Sequence, residues 1–332
     1  MSSARTQLPW RRLGPGLMTA VVIALAATFV SEHYGGPQFL YAHFFGIAFN
    51  FLGTDPKTRA GIEFAARTVL RFGVALLGAR ITLDQIVSLG AVPVLTVMAA
   101  VVATIAVGAW LARVMKRPLA EGLLTGGAVA ICGASAALAI ASVLPRAERS
   151  SKFTLLTVVG VTLLSTVAMI LYPMVVRLAH FDDAQAGIFL GGTIHDVAQV
   201  VGAGYIISPQ AGDNATFVKL LRVAMLLPVV LVFSLIFRGR GVAADGTPLL
   251  PWFLIAFAAF VAASSAGLFP PPVVAGLSEI SRWCLVTAIA ALGVKTSFQE
   301  FASLGWRPIV LLVGETAFLA VLILGVLIVR GR

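Results

Sequence analysis

The segment "EGLLTGGAVAICGASAALAIASVLP", residues 121–145, is the stretch on which the fold of this chain depends. It is apolar and long enough to span a membrane, yet Gly126, Gly127 and Gly133 interrupt a sequence that otherwise favours a helix. Unwound backbone is tolerated at membrane depth only where it is buried in protein or lines a polar cavity. The free N–H groups of a broken helix suit an anion and its free carbonyls suit a cation, so this segment predicts a binding site.

The glycines also permit a second interpretation. Small residues allow two membrane helices to pack closely, without any ligand. The polar neighbours Thr125, Cys132 and Ser135 favour a site, and both interpretations stay open at this point.

Similar apolar segments fill the chain, which has 332 residues, 59% of them hydrophobic and 11% charged, with a mean hydropathy of +0.98. Soluble domains carry roughly 25% charged residues. The composition therefore predicts an all-α polytopic membrane protein with about eleven transmembrane helices. The predicted segments are 14–31, 37–53, 62–82, 90–113, 120–146, 152–177, 184–207, 216–237, 249–268, 273–298 and 305–330.

The formal net charge of +10 comes mostly from short loops beside apolar segments. This pattern is typical of positive cytoplasmic loops and anionic lipid headgroups, so no nucleic-acid partner is expected. We expect 14–31 to be a membrane helix rather than a signal peptide, with the N-terminus in the cytoplasm. Loop 146–152 and the C-terminal "RGR" contradict this topology. A re-entrant fifth segment would return loop 146–152 to the cytoplasmic side.

The stretch "GGTIHDVAQVVGAG", residues 191–204, places His195 beside Asp196 in the seventh segment. On a continuous helix, His195 and Gln199 share a face, and Thr193 lies close by. Ionisable residues in a membrane span predict function, and His195 and Asp196 are candidates for proton coupling. The alternative is a structural pair near a helix end.

Neither an enzyme nor a metalloprotein is expected. Adjacent residues on a helix point about 100° apart, so Asp196 could not orient His195 in a catalytic triad. Cys132 and Cys284 both lie in apolar segments, which gives no disulfide framework and no zinc site. Nucleotide-binding motifs are absent, and we expect no cofactor.

Further charged residues lie inside the apolar segments. Each could extend to the headgroups alone, but together their unpaired excess is positive, which favours an anionic substrate. They are Glu63, Arg67, Arg71, Lys219, Arg222, Glu279, Arg282 and Glu315.

A weak internal similarity relates 77–93 to 292–308, which share Leu, Gly, Ser, Leu, Gly and Pro positions. The two stretches lie seven segments apart and would point in opposite directions. That parity suits an inverted repeat, although a chance recurrence explains the match equally well.

The blocks "GGAVAICGASAALAIASVLP" and "GGTIHDVAQVVGAG", with "AALGVKTSFQEFASLGWRP" near the C-terminus, resemble the YeiH-type family of bacterial inner-membrane proteins. The likeness covers essentially the whole chain. Sulfate export is attributed to that family from gene context in sulfonate-degrading bacteria.

The resemblance implies the fold of the cation:proton antiporter and bile-acid transporter superfamily, with two inverted five-helix repeats whose fourth helices are broken and cross. Applied here, it implies one transmembrane domain with an extra helix (14–31), repeat one (37–177) and repeat two (184–330). The crossing pair would be the fifth and tenth segments. This assignment competes with the 77–93 and 292–308 match.

We therefore expect a secondary transporter that exports a small sulfate- or sulfite-like anion, with proton coupling through His195 and Asp196. Two alternatives stay open: a proton- or sodium-coupled cation antiporter using Asp196 or Glu315, and a non-transporting sensor or scaffold. Expected partners are the anion, the lipid bilayer, H⁺ or Na⁺, and a second copy in a homo-oligomer. The expected substrate-binding residues are Thr125, Gly126, Gly127, Cys132, Gly133, Ser135, Thr193, Gln199 and Lys295.

Overall fold

The computed structural model describes residues 9–35, 37–88, 90–145, 151–237, 252–296 and 306–330, and the regular structure of these residues is helical. The all-α prediction is confirmed for this part of the chain. The α-helices are α1 (Pro9–Tyr34), α2 (Gln38–Ala48), α3 (Arg59–Phe64), α4 (Leu70–Leu77), α5 (Leu83–Ser88), α6 (Ala91–Val114), α7 (Leu119–Ala130), α8 (Ala134–Val143), α9 (Ser151–Leu178), α10 (Asp183–Thr193), α11 (Val197–Ile207), α12 (Pro209–Ala224), α13 (Leu226–Ile236), α14 (Trp252–Ser265), α15 (Pro271–Lys295) and α16 (Trp306–Arg330).

The chain is a multi-pass membrane protein. Within the described residues, six helical stretches are long and apolar enough to cross a bilayer, and several shorter apolar helices accompany them. The long stretches are Arg12–Tyr34, Leu95–Val114, Phe153–Leu178, Pro209–Ile236, Pro271–Lys295 and Pro308–Val329. The fifth and seventh predicted segments differ, because each forms two short helices.

The chain divides into two compact units, and the first comprises the described parts of Met1–Thr82 and Ala256–Ser297. Its helices pack through glycines. Gly46 of α2 lies against the backbone of Gly293 in α15, so closely that an added Cβ would lie 2.8 Å from the Gly293 Cα. Asn50 fixes the end of α15 by donating to the carbonyls of Val294 (2.9 Å) and Thr296 (2.8 Å).

The tenth predicted segment corresponds to α15 in this first unit, and it corrects one expectation. Pro271–Lys295 is a single uninterrupted helix of 25 residues. The expectation that the tenth segment is the second broken helix is therefore wrong. The physical reason is local: "CLVTAIAALGV" lacks the glycine-rich interruption of the fifth segment and favours a continuous helix.

The second unit comprises the described parts of Leu83–Ile255 and Phe298–Arg332, and its fifth segment folds back on itself. Helix α7 ends at Ala130, the chain turns through 131–133, and α8 begins at Ala134. Gly127 lies against the Ile140 side chain, although residues 13 positions apart on a straight helix would be about 20 Å apart. The pair α7 and α8 is therefore a helical hairpin, hairpin 1.

The seventh segment forms hairpin 2 from α10 and α11. Ser208, which ends α11, donates to Asp183 Oδ1 at the start of α10 over 2.7 Å. The two ends of the segment therefore lie side by side, with Ile194–Asp196 at the tip. Each arm, at 10 to 12 residues, is about 15 to 18 Å long, roughly half of a 30 Å hydrocarbon core.

Hairpin 1 points toward the N-terminal end of α6. Helix α7 packs antiparallel to α6, since Gly122 lies against Gly108, and Gly126 against Ile105. The tip of the hairpin therefore lies beyond Ile105, on the side where α6 begins.

Hairpin 2 points the opposite way. Helix α16 is antiparallel to α6. Gly314, in the first half of α16, lies against Leu111 near the end of α6. Farther along α16, Ile323 lies against Gly192, as does Val97 near the start of α6. Gly192 in hairpin 2 lies beside Ile323, and His195 at the tip hydrogen-bonds Thr316, so the hairpin runs toward the start of α16. The hairpins thus enter from opposite ends of the unit and meet at their tips.

Three sequence expectations lie outside the described residues. They concern most of loop 146–152, the loop 238–248, where Arg238 and Arg240 favour a cytoplasmic position, and the stretch 297–305 within the internal match.

Candidate functional site

Two cations of α12 join the tips of the two hairpins. Lys219 is 0% and Arg222 is 1% exposed. Lys219 Nζ donates to the carbonyls of Ile131 (2.6 Å) in hairpin 1 and Ile194 (3.0 Å) in hairpin 2. Arg222 makes four further hydrogen bonds across the same gap. It donates to the carbonyls of Val129 (2.7 Å) and Ala130 (2.8 Å) in hairpin 1, and of Gly191 (3.1 Å) and Ile194 (3.0 Å) in hairpin 2.

The arrangement of charge explains why these cations can be buried. The last carbonyls of a helix have no partner within the helix and carry the negative end of its dipole. Lys219 and Arg222 neutralise these ends of α7 and α10 together. Both cations donate to backbone carbonyls, and Asp196 at the tip of hairpin 2 interacts electrostatically with Lys219. The two cations outnumber this carboxylate. The centre therefore keeps a net positive charge in apolar surroundings.

His195 connects the tips in a second way. Its Nδ1 lies 3.1 Å from the Val129 carbonyl of hairpin 1, and its Nε2 lies 3.0 Å from Thr316 Oγ1 of α16. A carbonyl only accepts, so Nδ1 carries the proton, and a neutral ring satisfies both contacts if Thr316 donates to Nε2. The side chain is fully buried.

The two hairpins differ at the start of their second arms. Asp196 caps α11 by accepting from the Ala198 N–H over 2.9 Å. Helix α8 begins after Gly133 without a side-chain cap, and Ser135 in its first turn is exposed. The first N–H groups of a helix are unsatisfied and attract anions. The start of α8 therefore offers donors on the positive side of the centre.

Helix α16 contacts both hairpins with adjacent residues. Glu315 Oε1 lies 2.7 Å from Thr125 Oγ1 of hairpin 1, and Thr316 contacts His195 of hairpin 2. Glu315 is fully buried, and its Oε2 has no hydrogen-bond partner among the described residues. The same holds for Oε1 of Gln199, whose Nε2 donates to Thr166.

Comparison with known proteins identifies the family. Residues 15–312 match the family described as Conserved hypothetical protein 698. The chain belongs to this family. It is 54% identical to the UPF0324 membrane protein CT0845 of Chlorobaculum tepidum, over 95% of this chain and 89% of that protein. It is 52% identical to the UPF0324 membrane protein TauZ of Paracoccus pantotrophus, over 93% of each chain. No solved structure matches the chain.

The structure places the predicted site residues at several positions. Cys132 and Gly133 lie at the tip of hairpin 1, with Ser135 just beyond, and His195 and Asp196 at the tip of hairpin 2. Thr125 lies on α7 and contacts Glu315, whereas Thr193 donates to Phe189 within its own helix. Lys295 ends α15 in the other unit and is exposed.

Two expectations about these residues are wrong. Gly126 and Gly127 do not interrupt the helix but lie within α7, where Gly126 allows the close approach of α6. His195 and Gln199 do not share a helical face, because His195 lies in the non-helical tip and Gln199 on α11. Gly191 and Gly192 likewise lie within a helix, α10, where they allow close packing of neighbouring helices.

Lys219 and Arg222 are the residues whose role the sequence did not predict. They were recognised as charges in an apolar segment, but each alone suits extension toward the headgroups. The sequence feature that could have identified them is their separation by three residues, which puts both cations on one face of α12. Their partners are backbone carbonyls, which have no signature in the sequence.

Proposed function

We propose that this protein is a secondary transporter that exports a small inorganic or organosulfur anion. One observation carries the proposal: two helical hairpins from opposite ends of one unit meet at buried, net positive tips. Irregular backbone at membrane depth is typical of transporter binding sites, where it lines a cavity. The excess of positive charge favours an anion over a cation.

The anion would bind at the start of α8. The free N–H groups of its first turn and the Ser135 hydroxyl are the donors, and Lys219 and Arg222 supply the surrounding positive potential. Sulfate and sulfite are small oxyanions that accept several hydrogen bonds at once, which suits a cluster of backbone donors. The resemblance to the YeiH-type family is the reason to test these anions first.

The directions of the two hairpins also bear on the internal repeat and on the membrane topology. Hairpins entering from opposite ends fit an inverted repeat, now with the fifth and seventh segments as the related pair. A re-entrant fifth segment also puts the start of α9, which includes Lys152, on the same side as the start of α7, which supports a bacterial inner-membrane protein with a cytoplasmic N-terminus. Proton coupling through His195 and Asp196 remains part of the proposal.

Flux in proteoliposomes tests this function. Vesicles containing the purified protein are loaded with labelled sulfate or, in parallel, labelled sulfite, and efflux is compared with that of empty vesicles. We expect efflux that unlabelled anion in the outer solution accelerates by exchange. Ser135→Ala should slow it, while Arg67→Met, which removes an exposed ion pair with Glu63, should not. Equal efflux with and without protein for both anions would contradict sulfate or sulfite export.

One observation favours a cation antiporter as the second candidate. Glu315 is a buried carboxyl group, and one of its oxygens has no hydrogen-bond partner among the described residues; such groups bind ions in membrane proteins. Addition of sodium to vesicles containing a pH-sensitive dye would then release protons, and Asp196→Asn or Glu315→Gln would abolish the response. Labelled-anion exchange that is independent of sodium would exclude this candidate.

A further inference from the structure

Glu315 lies at the contact between α16 and hairpin 1, where its environment suits a neutral carboxyl group. An ionised carboxylate in a buried site needs donors for both oxygens, because losing hydration is otherwise costly. Here Oε1 has one partner, Thr125, and Oε2 has none among the described residues. Gly108 of α6 also packs against this carboxyl group, since a Cβ there would lie 2.7 Å from Oε1.

The hydrogen bonds of Thr125 also favour a protonated Glu315. Its hydroxyl lies 3.0 Å from the Glu121 carbonyl, one turn earlier in α7, and 2.7 Å from Glu315 Oε1. A hydroxyl has only one proton to donate. If Thr125 donates to the Glu121 carbonyl, then Glu315 must be the donor to Thr125. A protonated Glu315 then leaves only a neutral carbonyl oxygen, Oε2, without a partner among the described residues, which costs less than leaving a carboxylate oxygen there.

The charged neighbours do not supply an alternative partner. On α7, Glu121 already forms an ion pair with Arg117 over 2.7 Å. The tip of hairpin 2 presents His195, which reaches α16 through Thr316 rather than Glu315. Among the side chains that the structure describes, the other charged groups on the helices packed against α16 are Arg113, which is exposed at the end of α6, Arg177, which is exposed near the end of α9, and Asp183 at the far end of α10.

We propose that Glu315 is a proton-binding site whose occupancy controls the attachment of hairpin 1 to α16. This inference rests on the proposed transport function and names its coupling ion. Binding forms an O–H bond on Glu315, and that bond is donated to Thr125. Release transfers the proton to water and leaves a carboxylate whose Oε2 needs hydration, so hairpin 1 must separate from α16 and admit water for the proton to leave. Proton movement and hairpin movement are thereby linked.

The first test detects the proton itself and needs no substrate. Infrared spectra of the purified protein in lipid at neutral pH should show the C=O band of a buried carboxylic acid. Glu315→Gln, which preserves the shape of the neutral acid, should remove that band, while Glu63→Gln should leave it. Thr125→Val should shift the band to the frequency of a carboxyl without a hydrogen-bond acceptor, and Thr125→Ser should restore it. A band unchanged in Glu315→Gln, or absent from the wild-type protein, would overturn the inference.

The second test separates the proton site from the transport function. In proteoliposomes, Glu315→Gln should lose the stimulation of net labelled-sulfate flux by a pH gradient, because glutamine neither binds nor releases a proton. Flux that responds to the gradient equally in wild-type and Glu315→Gln protein would contradict the role of Glu315 and leave anion transport standing. Absence of sulfate flux in the wild-type protein would count against sulfate transport, and the infrared result would still decide whether Glu315 binds a proton.

Discussion

Hairpin 1 and hairpin 2 have arms of similar length and meet at the same cations, but their tips are built differently. Hairpin 1 turns through Gly133 at a φ of +64° and leaves the start of α8 uncapped. Hairpin 2 turns without a glycine, and Asp196 caps its second arm. The start of α11 thus has a carboxylate cap, whereas the start of α8 has no side-chain cap. The difference suggests that hairpin 1 binds the anion and hairpin 2 completes the surroundings.

Replacing the residue that holds both tips should have the largest effect. Arg222→Met removes all four hydrogen bonds from that side chain and leaves carbonyls of both hairpins without a donor. We expect the free energy of unfolding to fall by at least about 3 kcal/mol, as when one partner of a buried ionic interaction is lost. Denaturant titration in micelles, followed by tryptophan fluorescence, measures it.

Arg67→Met is the matched control, because its ion pair with Glu63 is exposed and such pairs contribute about 0 to 1 kcal/mol. A similar loss in the two variants would show that Arg222 does not join the hairpins.

The turn of hairpin 1 should depend on glycine. Gly133→Ala places a Cβ on a residue with positive φ, and we expect a cost of about 1–3 kcal/mol in the free energy of unfolding. Gly276→Ala in α15 should instead be neutral or stabilising by up to about 1 kcal/mol, because an added Cβ meets no atom within 4 Å and alanine favours a helix. Chemical unfolding of the two variants measures whether the free energy of unfolding falls in Gly133→Ala and is unchanged or rises in Gly276→Ala.

The cap of hairpin 2 should contribute less. Asp196→Ala removes the acceptor for the Ala198 N–H and should lower the free energy of unfolding by about 1 kcal/mol. Asp196→Asn keeps a capping oxygen and should lose only a small part of this stability. Equal losses in the two variants would show that the carboxylate charge, rather than the cap, matters at this tip.

Ser135→Ala should have the smallest effect on stability and a selective effect on binding. Ser135 is exposed and caps nothing, so the unliganded protein should unfold as before. Losing one hydrogen bond should weaken anion binding by about two- to tenfold. The thermal stabilisation of purified protein by added sulfate or sulfite measures this, because a ligand of the folded state raises its stability. Unchanged stabilisation by the active anion would place the anion elsewhere.

The fold was partly readable from the sequence. Continuous apolar segments predicted the membrane helices, and Gly133 together with the polar residues around it predicted an interruption in the fifth segment. The hairpins themselves were not readable, because a broken span and a re-entrant pair have the same composition. The contacts of Gly127 with Ile140 and of Ser208 with Asp183 distinguish them.

The residues of the candidate site were also only partly predictable from the sequence. His195 and Asp196 stood out because ionisable residues are rare in apolar segments. Lys219 and Arg222 were visible as charges, but their function lies in bonds to carbonyls far away in sequence. The seventh segment contains no glycine at its actual turn, so its tip was assigned to a helix face.

Sided labelling of single cysteines tests most directly whether both hairpins are re-entrant from opposite faces of the membrane. In a background with Cys132→Ser and Cys284→Ser, single cysteines replace Lys116 and Ser142 at the base of hairpin 1, and His180 and Gln210 at the base of hairpin 2. An impermeant maleimide should label positions 116 and 142 from one face, and positions 180 and 210 from the other. Labelling of 116 and 142 from opposite faces would contradict this expectation, because the fifth segment would then span the membrane.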